Sequence, residues 1–151
     1  MVVGRIGGDR IARARLLDRS RDAAARRGTR TPDGKNLADA RVLLRAGTGQ
    51  RSRIGDNTTI GVVATNANLT KTQATKVAQM AHDGYARAIS PVHTPADGDT
   101  IFALATGAKA GEANVTTVGA LAAEVMADAI LRAVRQATSI PGYPAASDLT
   151  R

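Results

Sequence analysis

"GDNTTIGVVATNA", residues 55–67, decides the fold. A polar cluster, Asn57, Thr58 and Thr59, stands directly ahead of an apolar run over residues 60–64. Ile60, Val62 and Val63 are β-branched, and turn residues bound the run on both sides. That pattern predicts a strand over residues 59–65, buried on both faces. Two adjacent hydroxyls at the mouth of a buried strand have two readings. They are residues that begin the strand, or one of them is a nucleophile.

Working outward, "NLTKTQATKVAQMAHDGYARAI" (68–89) opens a helix with a capping box. Thr70 is the N-cap, Gln73 stands three positions on, and Val77, Ala78, Ala81, Tyr85 and Ala88 follow at helical spacing. "SPVHTPADGD" (90–99) is a loop with two prolines and an Asp-Gly turn. "TIFALATG" (100–107) is a second strand expected to be buried, ended by Gly107. "ANVTTVGALAAEVMADAILRAVRQAT" (113–138) is the longest helix, with Val118, Leu121, Val125 and Ala129 marking one face. Strand, helix, strand, helix without internal repeat predicts an α/β layered domain with helices over a mixed sheet.

The N-terminal third is different in kind. Residues 1–53 hold thirteen Arg and one Lys against five Asp, a net of +9, whereas residues 54–151 hold seven basic and eight acidic residues, a net of −1. The overall charge of +8 therefore belongs to the N-terminal third. Residues 1–30 are an atypical Arg-rich segment with too few large apolar groups to pin a helix, and are expected to be exposed and poorly packed. "TPDGKN" (31–36) is a turn, "LADARVLLRA" (37–46) a short amphipathic helix ending at Gly47, and residues 47–56 a polar loop. Residues 31–56 thus lead into the part from residue 57 to 151.

Composition narrows the chemistry. At 151 residues the chain has room for one domain with a real core. Aromatic residues are only 2%, so that core is built from Ala, Val, Leu and Ile, and few rings are left to stack on bases. The absence of cysteine excludes disulfides and thiolate metal sites. No His/Asp/Glu spacing suggests a metal, "GTGQRSRIGD" lacks the Lys-Ser/Thr ending of a phosphate-binding loop, and no cofactor is expected. No apolar run approaches the ~18 residues of a membrane span. Arg5, Asp9, Arg10, Arg13 and Arg15 break any signal-peptide apolar region, so the expected compartment is the cytoplasm.

Few side chains look reactive. His82 lies inside the first long helix without a second ligand at i±3 or i±4, which suits an ordinary helix histidine. Ser90, His93 and Asp97 are the residue types of a hydrolase triad, but nearness in sequence does not make geometry. Asp97 and Asp99 alone read as turn carboxylates. A threonine hydroxyl needs a base beside it. For an N-terminal threonine that base is its own α-amino group, which ordinarily titrates at ~7.7–8.0. That requires the chain to break just before the threonine.

Residues 57–107, with the Asn-Thr junction, "ATNA", "AHDGYARAI" and "DGDT", closely resemble the C-terminal half of the L-aminopeptidase/D-esterase family. That family includes β-peptidyl aminopeptidases and nylon-oligomer hydrolases, and resembles the N-terminal-nucleophile hydrolases. The likeness continues through "AAEVMADAILRAV" and "PAASDL". It implies a precursor that cuts itself and a four-layer αββα sandwich, of which this chain supplies part. It also implies Thr58 as nucleophile, the bond between Asn57 and Thr58 as the self-cleavage site, and Asp97 and Asp99 as the acidic pair that holds the freed ammonium. The implied substrates are small peptides or amides, and intact relatives are commonly homo-oligomers.

The N-terminal half of the family supplies a Lys near the nucleophile, an oxyanion Asn and much of the pocket, and no position here matches them. Residues 1–30 resemble nothing in that half. The expectation is a truncated product or one half of a split gene, partnered by the missing half or by homologous subunits, and weakly active or inactive alone. Two non-enzymatic readings compete: a remnant serving as an interaction module, and a basic nucleic-acid-binding protein resting on the +9 segment.

Overall fold

A computed structural model describes residues 2–6, 39–47, 58–95, 97–141 and 145–148. Three strands, β1 (Val2–Ile6), β2 (Ile60–Thr65) and β3 (Thr100–Ala105), form one parallel sheet in the order β1-β2-β3. Among the described residues three α-helices accompany them: α1 (Ala40–Arg45), α2 (Lys71–Ala88) and α3 (Val115–Gln136). The chain is thus a mixed helix–strand protein of the α/β kind with a small parallel sheet.

Residues 2–6 depart from the expectation of a poorly packed start. "VVGRI" supplies β-branched residues, pairs along β2 from Val2↔Gly61 to Ile6↔Thr65, and lies against α3. The proposed turn at 31–36, the loop at 48–56, Asn57 and the rest of the Arg-rich stretch lie outside the described residues.

The sheet is parallel rather than mixed because α2 carries the chain from β2 back to the same end, as a parallel crossover must. The capping box that starts α2 is formed as expected. The Thr70 hydroxyl accepts from the Gln73 N–H at 3.3 Å, and the Gln73 amide oxygen accepts from the Thr70 N–H at 2.9 Å. Asn114 caps α3 by accepting from the Thr117 N–H. Asp39 caps α1, and its hydrogen bonds from the Arg41 side chain and backbone pull its carboxyl down to about 2.

Both long helices cover one face of the sheet. Gly61, Val63 and Thr65 point into it, against Val77, Ala81, Tyr85, Ala122, Met126 and Ile130. The expectations that β2 is buried on both faces and that β3 is buried do not hold. On the opposite face Ile60, Phe102 and Leu104 are 49%, 56% and 57% exposed. An apolar run cannot by itself distinguish one covered face from two.

The face that α3 buries is also turned by one residue from the expected stripe. Gly119, Ala122, Ala123, Met126 and Ile130 are buried, while Val118, Leu121, Val125 and Ala129 are only partly so. Close approach selects the small residues. A Cβ on Gly84 of α2 would collide with the Ala123 carbonyl oxygen and lie 2.7 Å from the Met126 Cβ. The helices therefore meet backbone against side-chain root, which larger residues at the contact would forbid.

Candidate active site

The sheet register builds the site. Ile60 pairs with Thr100, so the residues just before them, Thr59 and Asp99, come side by side at the N-terminal mouth of β2 and β3. The Thr59 N–H donates to Asp99 Oδ1 at 3.0 Å, across forty positions of sequence. The Thr100 N–H donates to the Thr59 carbonyl at 2.9 Å and closes the mouth. Thr58, exposed, is the next residue outward. Of the residues singled out in the sequence, Asp99 is thus brought beside the backbone that carries Thr58.

Asp97 does something different. Its Oδ2 accepts from the Thr94 N–H at 2.9 Å and the Thr94 hydroxyl at 2.8 Å, while its own N–H donates to the Thr94 carbonyl. It closes the turn that delivers Asp99 to the sheet. Asn57 lies outside the described residues.

The Asp99 side chain is only 2% exposed, an expensive place for a carboxylate unless its oxygens are met. Oδ1 is met by Thr59. Oδ2 has His93 Nδ1 at 3.2 Å, an ion-pair distance, yet off the line of a hydrogen bond, so this buried oxygen lacks an aligned donor. A buried acceptor in that state is short of a donor.

Rings wall the site. Tyr85, fully buried on α2, sends its hydroxyl to the Thr59 and Thr100 carbonyls, each at 3.3 Å. Burial, and then the nearby Asp99 charge, push its phenol up to about 12. His93 stacks on Tyr85 with ring centres 6.1 Å apart, and His82 meets both rings edge-on. Burial first, then repulsion from His93, lower the His82 pKa.

His93 stands near Ser90 and Asp97 in sequence, a nearness that carries no geometry, and its acidic neighbour in the structure is Asp99. Sequence reasoning passed over Tyr85 as mere core. The available signal was a tyrosine at a buried helix position, whose hydroxyl needs a partner at the sheet end. Among the described residues no three His, Asp or Glu side chains gather as metal ligands would, and no helix is long and apolar enough to cross a membrane.

Residues 9–147 match the family profile of peptidase family S58, and the chain belongs to that family. The match begins inside the Arg-rich stretch that the resemblance noted above left unplaced. An uncharacterized aminopeptidase of Mycobacterium tuberculosis is 47% identical over 106 residues, 62% of this chain and 31% of the relative. One from Mycobacterium leprae is 48% identical over 101 residues, 58% of this chain and 28% of the relative. A 6-aminohexanoate-oligomer endohydrolase of a Kocuria species is 38% identical over 90 residues, 52% of this chain and 25% of the relative. The chain therefore spans less than a third of the length of these relatives.

Proposed function

We propose that this chain is the nucleophile-bearing part of a self-processing hydrolase. Thr58 is the nucleophile, and the bond before it is the one it first cuts. The observation that carries this reading is the buried Asp99 carboxylate fixed to the Thr59 N–H, one residue from the Thr58 hydroxyl, with its second oxygen lacking an aligned donor.

Two stages follow from that placement. In the first, the Thr58 hydroxyl attacks the Asn57 carbonyl, the amide nitrogen leaves as the α-amine of Thr58, and an ester joins the two pieces. Water opens the ester and leaves the Asn57 carboxylate and a free N-terminal threonine. Asp99 Oδ2 then accepts from the new ammonium group, which meets its unfilled acceptor and sets the amine's proton affinity. In the second stage the neutral amine takes the hydroxyl proton as the oxygen attacks a substrate amide or ester. The leaving group departs with that proton, and water releases the acyl group. Asp97 acts by holding the 94–97 turn, and so the reach of Asp99.

The names of the relatives, aminopeptidase and aminohexanoate-oligomer endohydrolase, favour small peptides or linear amides as substrates. The bare face at Ile60, Phe102 and Leu104 favours the αββα arrangement, in which a second sheet lies against this one. That second sheet would come from the family portion that precedes the matched region or from homologous subunits, and would complete the pocket.

The test is hydrolysis of an amino-acid p-nitroanilide by this chain co-expressed with the portion of the tuberculosis relative that precedes the matched region. Thr58→Ala should abolish turnover and Thr58→Ser should retain part of it. Equal rates for wild type and Thr58→Ala would remove Thr58 from the mechanism.

A further inference from the structure

Asp99 Oδ2 is buried, and among the described residues the His93 imidazole lies beside it, with Nδ1 at 3.2 Å. Three features fix that ring. The backbone of His93 is left-handed, with φ of 55°, a conformation that few non-glycine residues adopt and that an L side chain holds only when its surroundings require it. Its ring lies nearly parallel to Tyr85, 24° between planes, and at 63° to His82 with centres 4.9 Å apart. Its Nδ1 is thereby kept 3.2 Å from Asp99 Oδ2, at ion-pair distance though off the line of a hydrogen bond, while the side chain is 38% exposed.

We propose that His93 is a positioning residue: it holds Asp99 Oδ2 from the loop side and so keeps Oδ1 on the Thr59 N–H, next to residue 58. Without that hold, a carboxylate bound by one oxygen alone rotates about its last torsion, and the buried charge turns toward water. Residue 59, and with it the direction of the residue 58 hydroxyl, loses its anchor. The catalytic consequence rests on the reading of Thr58 as nucleophile, but the positioning itself does not.

Amide hydrogen exchange tests this in the full chain carrying Thr58→Ala, which remains uncut, so the surroundings of Thr59 do not change during the measurement. His93→Gly accepts the left-handed backbone and removes the ring. His93→Asn also accepts that backbone and places an N–H donor where Nδ1 stood. With the charged hydrogen bond loosened, exchange at the Thr59 amide should rise about tenfold or more in His93→Gly, while the Val63 amide in mid-strand keeps its rate. In His93→Asn the Thr59 rate should return to within about threefold of its starting value, since a polar N–H again stands beside Oδ2.

An unchanged Thr59 rate in His93→Gly overturns the proposal, and so does His93→Asn exchanging as fast as His93→Gly. If Val63 also accelerates in His93→Gly, the protein has loosened globally and the asparagine variant alone decides. Failure of the nucleophile reading would show elsewhere, as lack of any break before Thr58 in the wild-type chain co-expressed with the preceding portion of the tuberculosis relative, with the exchange pattern intact.

Discussion

Replacing Gly84 with Ala probes the contact on which the site rests. The added Cβ would meet the Ala123 carbonyl oxygen well inside contact distance, the Met126 Cβ at 2.7 Å and the Ala127 nitrogen at 3.1 Å. Carbon atoms first touch at roughly 3.5 Å, so α2 and α3 must part by about 1 Å. The obstructing atoms are backbone or next to it and cannot step aside. Overpacking of this kind costs about 3 kcal/mol, against about 1 kcal/mol regained because alanine prefers helix over glycine. The net loss is about 2 kcal/mol, or a fall of about 4–8 °C in melting temperature for a chain of this size.

Gly119→Ala is the matched control. Its Cβ meets mainly the sulfur and terminal methyl of Met80, the far end of a flexible side chain, with the Met80 Cβ a looser 3.2 Å away, so its cost should stay about 1 kcal/mol below that of Gly84→Ala. Urea unfolding followed by far-ultraviolet circular dichroism measures both variants. Because Tyr85 follows Gly84 and Met126 lies under Gly61, the parted helices should also disturb the Tyr85 bonds to Thr59 and Thr100. Equal stability of the two variants would refute the claim that backbone approach at Gly84 holds the layers together.

Tyr85→Phe should cost about 1 kcal/mol through its two long hydrogen bonds. In the wild type the raised phenol pKa, about 12 against 10.0 unfolded, means its contribution is complete below pH 10 and is lost as pH climbs toward 12. The phenylalanine variant should lack that alkaline slope in pH-dependent melting. For His82 the sign is reversed: its folded pKa lies below 6.5, the unfolded chain binds the proton more readily, and stability should fall as pH drops below 6.5. His82→Gln should flatten that acid limb. Thr70→Ala removes one arm of the capping box and should lower stability by about 1 kcal/mol in the same assay.

The elements around the site were legible because their signals are local. Thr70 with Gln73, and the β-branched run from Ile60, need only neighbouring residues to be read. What could not be read depended on register and on layers. Nothing in "DGDT" says that Asp99 rather than Asp97 will face Thr59; that follows once Ile60 pairs with Thr100. The buried stripe of α3 was displaced by one residue because hydrophobicity favours Val118 and Leu121, whereas close packing on Gly84 favours Gly119, Ala122 and Ala123. The strand at 2–6 was hidden by the arginines that follow it. His93 was read with its near neighbours in sequence, while the loop folds its ring onto α2 and the start of β3.

The account is tested most directly by the intact mass of this chain, purified after co-expression with the preceding portion of the tuberculosis relative. Self-processing predicts a fragment that begins at Thr58 and ends at Arg151, formed by the wild type and absent from Thr58→Ala. A chain that stays whole, or one that is cut equally in the alanine variant, would contradict the assignment of the Thr58 hydroxyl as the nucleophile.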